Sequence, residues 1–196
     1  IGLTFKLAAF PAHAWMPDVA QASPAPAAAF LTVIPKIGAA VALARFVTLL
    51  PPSPEVTMLI ALLAAITMTL GNLAALWQRD VRRLLGWSAV AQSGFALMAV
   101  AVIQTSPDAL PSLLMFLLTY AVANLAAFSV VIQLRGRTAL DDYAGLARAA
   151  PGPALVLTVA LLSLVGIPPL VGFFGKFLLY RTTLEGGFGW LALIAV

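Results

Sequence analysis

The chain has 196 residues, of which 62% are hydrophobic and 9% charged, and its mean hydropathy is +1.04. Soluble domains carry about 45–50% apolar and about 25% charged residues. The 11 basic and 7 acidic side chains here cannot cover a water-soluble globule of 20.4 kDa. A soluble enzyme and a disordered chain are excluded, and a polytopic membrane protein remains. The absence of cysteine excludes a disulfide scaffold, a thiolate metal site and an iron–sulfur cluster held by this chain. A single histidine excludes a poly-His metal site or a bis-His haem. A net charge of +4 and a pI near 10 are read as arginine-rich cytoplasmic loops rather than a nucleic-acid surface.

In chain order, apolar stretches lie at about 1–20 (interrupted), 26–50, 55–77, 84–104, 110–134, 152–180 (interrupted) and 188–196. Crossing a bilayer as a helix takes roughly 17–25 residues, and 152–180 exceeds that, which suits a broken helix. Separators are short and carry turn or charge signals, such as Pro51-Pro52-Ser53-Pro54 and Arg79-Asp80-Val81-Arg82-Arg83. The longest, 135–151, has room for a short surface helix around Leu140–Arg148. Backbone in lipid must bond internally, so the spans are helices. The expected fold is one all-α membrane domain, a polytopic transmembrane bundle with two broken helices. Both ends fall inside apolar runs, so a piece of a longer protein is expected.

Loop charges sort by side. Loops near 21–25, 78–83 and 135–151 carry zero, three and three basic residues, against one, zero and one near 45–54, 105–109 and 181–187. The first group is therefore expected in the cytoplasm.

Three lysines fall inside apolar stretches: Lys6, Lys36 and Lys176. A lysine near a bilayer centre costs about 2.5–3.5 kcal/mol on insertion scales. Snorkelling is the ordinary explanation. It is weakest for Lys36, ten residues from Pro26 and fourteen from Leu50, on the order of 15–20 Å from either end of a helix. Each lysine also has a helix breaker nearby. Pro35 precedes Lys36 and removes the bond to the Leu31 carbonyl; Pro11 and Pro17 follow Lys6 and free the carbonyls of Leu7 and His13. Pro168 and Pro169 precede Lys176 and free those of Leu164 and Val165. Broken helices at membrane depth are tolerated only beside protein or water. Lysines beside such breaks point to transport, whereas proline kinks alone are common.

His13 fits a proton relay or, equally, an interfacial residue beside Trp15 in an aromatic belt. Asp18 is expected to cap or brace the following turn. Asn72, Ser88, Gln92, Ser93 and Asn124 read first as helix–helix hydrogen bonders, and more sharply as the lining of a hydrated path. No Gly-rich phosphate loop, buried acidic pair or nucleophilic triad is present.

Three blocks resemble a known family. They are Phe5-Lys6 with Pro11-Ala12-His13-Ala14-Trp15-Met16-Pro17-Asp18; Gly71-Asn72-Leu73-Ala74-Ala75-Leu76 with Arg82 to Ser88 and Ala91-Gln92-Ser93-Gly94; and Gly166-Ile167-Pro168-Pro169 with Gly172-Phe173-Phe174-Gly175-Lys176-Phe177. Over essentially its whole length the chain is similar to the antiporter-like membrane subunits of NADH:quinone oxidoreductase, respiratory complex I. Thr32 stands where larger subunits have histidine, and Lys36 and Lys176 match the N type, the bacterial counterpart of mitochondrial subunit 2.

The resemblance implies helices seven to thirteen of fourteen, with Lys6, Lys36 and Lys176 moving protons and His13 as a possible relay. Lys6 would pair with a glutamate outside this chain. It also implies no cofactor in this chain, with flavin, iron–sulfur clusters and quinone in partner subunits. Other complex I membrane subunits, the lipid bilayer and protons would be its partners, nucleic acid would not, and the site would be a bacterial inner membrane. Two alternatives stay open. One is a related subunit of a cation/proton antiporter or membrane-bound hydrogenase complex. The other is a structural membrane scaffold whose lysines form buried ion pairs.

Overall fold

Every apolar stretch is helical in the structure, a computed structural model that describes residues 1–196. The helices are α1 (Gly2–Leu7), α2 (Trp15–Ala22), α3 (Ala25–Leu49), α4 (Pro54–Ala75), α5 (Val81–Ala101) and α6 (Ala109–Gln133). They continue with α7 (Leu146–Ala149), α8 (Pro151–Val165), α9 (Val171–Glu185) and α10 (Gly189–Ala195). α3 to α6 are each long and apolar enough to cross a membrane. The chain is an all-α, multi-pass integral membrane protein.

Both interruptions fall where the prolines put them. α1 and α2 are two halves of one interrupted segment, separated by residues 8–14, and α8 and α9 are separated by 166–170. The expected surface helix near 140–148 is smaller than anticipated: a 3₁₀ turn at Leu140–Tyr143 followed by the single turn of α7. α5 starts at Val81, three residues before the expected boundary. The cause is Asp80, whose carboxylate accepts the amides of Arg82 and Arg83 at 2.9 and 3.0 Å and so caps the helix.

α5 is the hub. Most of it is buried, including every residue from Ala89 to Ala101, and it packs against α2, α3, α4, α6 and α9. A helix apolar all round is expected at the centre of a bundle. α4 is the opposite case: Leu59, Leu62, Ile66 and Leu73 are exposed along it and form an apolar outer face.

The loops gather as the charge count sorted them. Val81 donates to the Thr138 carbonyl at 2.9 Å and Leu140 to that of Arg79 at 2.8 Å, joining loops 78–83 and 135–151. Arg82 donates to the Ser23 carbonyl at 3.1 Å, which brings in the loop at 21–25. At the other end, Gln104 donates to the carbonyls of Val47 and Leu50 at 2.8 and 2.9 Å. Asp18 does not brace its own turn. It is drawn 2.7 Å from Arg83 on α5, because that guanidinium also reaches Gln21 at 3.0 Å on the same face of α2.

Without a hydrophobic drive between helices in lipid, close packing rests on small residues. A β-carbon at Gly94 would sit 2.7 Å from the Met68 amide nitrogen and 2.8 Å from the Ala64 carbonyl, so α4 and α5 touch backbone to backbone. Gly94→Ala is therefore expected to cost about 1–3 kcal/mol by overpacking. Gly38→Ala, which meets nothing within 4 Å, serves as the control. Thermal unfolding of the two purified variants in detergent checks this; equal midpoints would refute the close crossing.

Candidate functional site

The site begins with the carbonyls that the prolines release. At the second break, α8 ends at Val165 and Gly166 takes a left-handed conformation, φ 91°, which the missing side chain permits. Pro168 and Pro169 supply no N–H for the carbonyls of Leu164 and Val165. Gln92 of α5 donates to Leu164 at 3.1 Å, and the Lys176 ammonium of α9 donates to Val165 at 3.0 Å. Lys176 is 8% exposed and lies 4.1 Å from the centre of the Phe95 ring. Its attraction to that ring is worth about 0.5–2 kcal/mol.

The first break is read by the next residue of α5. Pro11 frees the Leu7 carbonyl, to which Ser93 Oγ can donate, with the Ala89 carbonyl at 3.1 Å as its other acceptor. The same Oγ accepts from Lys36 Nζ at 2.8 Å, and Lys36 also donates to the Ala89 carbonyl. Lys36 is 1% exposed and heads the largest fully buried side chains. Adjacent residues, Gln92 and Ser93, thus serve one broken helix each.

Between the two lysines runs an aromatic wall. Lys36 Nζ is 5.5 Å from the Tyr120 ring, Tyr120 stacks on Phe116 at 6.4 Å, Phe116 lies 6.1 Å from Phe95, and Phe95 faces Lys176. Beside it is a cavity of about 10 Å³ lined by Gln92, Thr119, Tyr120, Ser163 and Lys176, room for about one water. A larger cavity of about 360 Å³ extends from Lys176 past Gln92 to Ser88 and Asn72. Ser88 and Asn72 accordingly line a space, and neither side chain makes the interhelical hydrogen bond expected of it.

Some expected features fall elsewhere. Pro35 does not break its helix: α3 runs unbroken from Ala25 to Leu49. A single proline removes one N–H, a loss that a long helix packed in a membrane bundle tolerates. Here Tyr120 donates its hydroxyl to the Thr32 carbonyl at 2.7 Å, next to the opened rung at Leu31. Asn124 adds a 2.9 Å bond to Thr32 Oγ1. Lys6 is exposed and is not brought to the other two lysines. It follows Phe5 on the outer face of α1, while Leu7 fills the inner face.

His13 lies in the linker between α1 and α2, with Phe10 and Trp87 rings 5.9 and 5.7 Å away and a buried Nδ1 that has no partner. Its carbonyl is not free, because the Met16 amide donates to it at 3.1 Å. Sequence reasoning passed over Tyr120, Phe116, Phe95, Thr119 and Ser163. Only Tyr120 carried a signal, as a hydroxyl four residues before Asn124 on the same face of a span.

Two buried amines, one on a carbonyl freed by a helix break and one on a carbonyl and a serine of α5, mark a class of multi-pass helical membrane protein built around charged side chains within its spans. All of residues 1–196 match the family described as NADH:quinone oxidoreductase/Mrp antiporter, TM, and the chain belongs to that family. NADH-quinone oxidoreductase subunit N of Mycobacterium sp. (strain JLS) is 52% identical over 193 residues, covering 98% of this chain and 41% of that one. The chain thus spans about two fifths of the length of that relative. Within respiratory complex I from Thermus thermophilus with bound Aureothin, one chain superposes with a TM-score of 0.86 at 38% identity, over 99% of this chain and 43% of that one. The Mrp complex from Dietzia sp. DQ12-45-1b has a chain with a TM-score of 0.87 over 99% of this chain and 37% of its own, and at 24% identity it shows a shared fold. The expected kinship with the N type agrees with the subunit N relatives.

Ser93 joins the first break to Lys36, so Ser93→Ala orphans the Leu7 carbonyl and removes one acceptor of the amine. We expect a loss of about 1–3 kcal/mol, the cost of an unpaired buried group. Ser129→Ala, at an exposed serine bonded only to the Ala126 carbonyl, should change stability by less than about 0.5 kcal/mol. The thermal midpoints of both purified variants decide it, and a neutral Ser93→Ala would contradict the assigned network.

Proposed function

We propose that this chain is the N-type proton-translocating membrane subunit of an NADH:quinone oxidoreductase, driven by electron transfer in other subunits. In this reading flavin, iron–sulfur clusters and quinone belong to those partner subunits. The chain lies in a bacterial cell membrane with the 78–83 and 135–151 loops in the cytoplasm. The observation that carries the reading is Lys36: an amine in the middle of a span, 1% exposed, whose hydrogen bonds all go to neutral oxygens. The ion pairs of the chain are Arg83–Asp18 and Arg181–Glu185, so neither Lys36 nor Lys176 has a carboxylate partner within 4.0 Å. That weighs against a scaffold held by buried ion pairs inside this chain.

The mechanism follows from charge and proximity. A proton on one lysine raises the cost of a proton on its neighbour. At an effective dielectric constant near 20, two unit charges about 10 Å apart interact by roughly 1.7 kcal/mol, which alters proton affinity more than about tenfold. Protons pass between Lys36 and Lys176 along the Tyr120 side of the aromatic wall and through the one-water cavity. The cavity lined by Gln92, Ser88 and Asn72 connects Lys176 with the cytoplasmic half of the bundle. Each lysine keeps acceptors for its charged form, the Ala89 and Val165 carbonyls, so both protonation states are accommodated without rebuilding the helices. Lys6, on the outer face of α1, joins the path through a carboxylate on another helix, and His13 assists at the first break.

Lys36→Met fills the space without a titrating group, and Lys36→Arg keeps a charge that does not leave. In the assembled complex reconstituted into liposomes, both are expected to lower NADH-driven proton uptake by about a hundredfold, the lower scale of a lost acid–base group. Assembly should survive in Lys36→Met. A scaffold would behave in the opposite way, tolerating arginine and failing to assemble with methionine. Wild-type pumping by an assembled Lys36→Met complex would remove the basis of the proposal.

A further inference from the structure

At the arginine-rich end, a pocket of about 340 Å³ opens between the start of α3 and the turn that follows α6. Arg82, Arg135 and Arg137 line it, and Val131 and Ile132 from the last turns of α6 form its apolar side. None of the three guanidinium groups has a carboxylate within 4.0 Å. Two acids in the adjoining loops are committed to backbone: Asp80 caps α5, and Asp142 accepts the amides of Thr138 and Ala139 at 3.1 and 3.0 Å. Arg82 is held in place by its bond to the Ser23 carbonyl at 3.1 Å, and its buried Nε has no partner. Residues Ala25 and Pro26 of the pocket are the first of α3, whose N-terminal end carries partial positive charge. A half-buried donor without an acceptor is costly, and three unpaired arginines beside a helix N-terminus match a phosphate group.

We propose that this pocket binds the phosphate of an anionic phospholipid. The headgroup phosphate sits between Arg82, Arg135 and Arg137, and an acyl chain descends along Val131 and Ile132 into the bilayer. Two features select a lipid over free phosphate. The pocket opens at the end of a membrane-spanning helix, and one of its sides is hydrocarbon. The bound lipid fastens the α3, α5 and α6 ends together where the loops 21–25, 78–83 and 135–151 already meet. It neutralises three charges that would otherwise repel one another.

The test uses the whole subunit in its assembled complex, in phosphatidylcholine nanodiscs that carry a photoactivatable phosphatidylglycerol or, separately, a photoactivatable phosphatidylcholine with the same chains. Cross-links are mapped by mass spectrometry to peptides containing residues 131–138. Phosphatidylglycerol is expected to label that segment about tenfold more than phosphatidylcholine, on the scale of two arginines at a membrane surface. The exposed double variant Arg135→Gln/Arg137→Gln, whose side chains make no hydrogen bond in the structure, should bring the ratio close to one with assembly unchanged. Excess inorganic phosphate should leave the labelling as it was. Equal labelling by both lipids, labelling unaffected by the double variant, or absence of labelling by either lipid overturns the proposal. Loss of labelling to inorganic phosphate also overturns it, and would assign the pocket to a free anion.

Discussion

A buried ammonium in hydrocarbon needs oxygen around it, and in a helix bundle almost every backbone oxygen is already taken. This is the constraint on which the structure turns. Lys36 and Lys176 meet it through interrupted helices: Lys176 takes the Val165 carbonyl outright, and Lys36 reaches the Leu7 carbonyl through Ser93. The breaks at 8–14 and 166–170 are therefore parts of the lysine sites and not defects in the spans. A carboxylate would have satisfied either amine more strongly, but it would also have fixed the proton. The acceptors in this chain are neutral oxygens, a carbonyl and a serine for Lys36 and a carbonyl for Lys176.

α5 transmits that arrangement to the rest of the bundle. Gln92 and Ser93 point to the two breaks, Gly94 lets α4 approach at backbone distance, and Phe95 covers Lys176. Four successive residues thus set the separation of the broken helices and the distance to α4. Small residues on this helix serve packing and chemistry together, because a bundle without a hydrophobic drive is held by close contact and by interhelical hydrogen bonds. The aromatic wall of Tyr120, Phe116 and Phe95 completes the space between the lysines and keeps it nearly dry, with the one-water cavity as the gap. Beside Lys176 a larger cavity extends past Gln92 to Ser88 and Asn72.

Much was legible in the sequence because membranes impose simple rules on composition. A 62% hydrophobic chain with most of its charges in short loops can only be a set of spans. Prolines name the carbonyls they release, so the free oxygens of Leu7, Leu164 and Val165 could be read before any contact was seen. Basic residues sort loops by side, and the ends of the bundle followed that sorting. The burial of Lys36 was equally fixed, since no side chain can snorkel 15–20 Å.

Tertiary structure decided whatever depends on a neighbour. Pro35 looks like Pro11 in sequence, yet α3 runs unbroken past it, packed against α6 with Tyr120 and Asn124 bonded to Thr32 beside the opened rung. Lys6 looks like Lys36, yet it faces outward, since only the bundle determines which side of a short helix is covered. Asp18 found Arg83 across two helices rather than its own turn. The aromatic bridge between the lysines was invisible for the same reason: apolar residues carry no sign of which charge they will face. Local backbone chemistry and hydropathy are written along the chain, whereas the partner of each freed carbonyl and each buried amine exists only once separate helices have met.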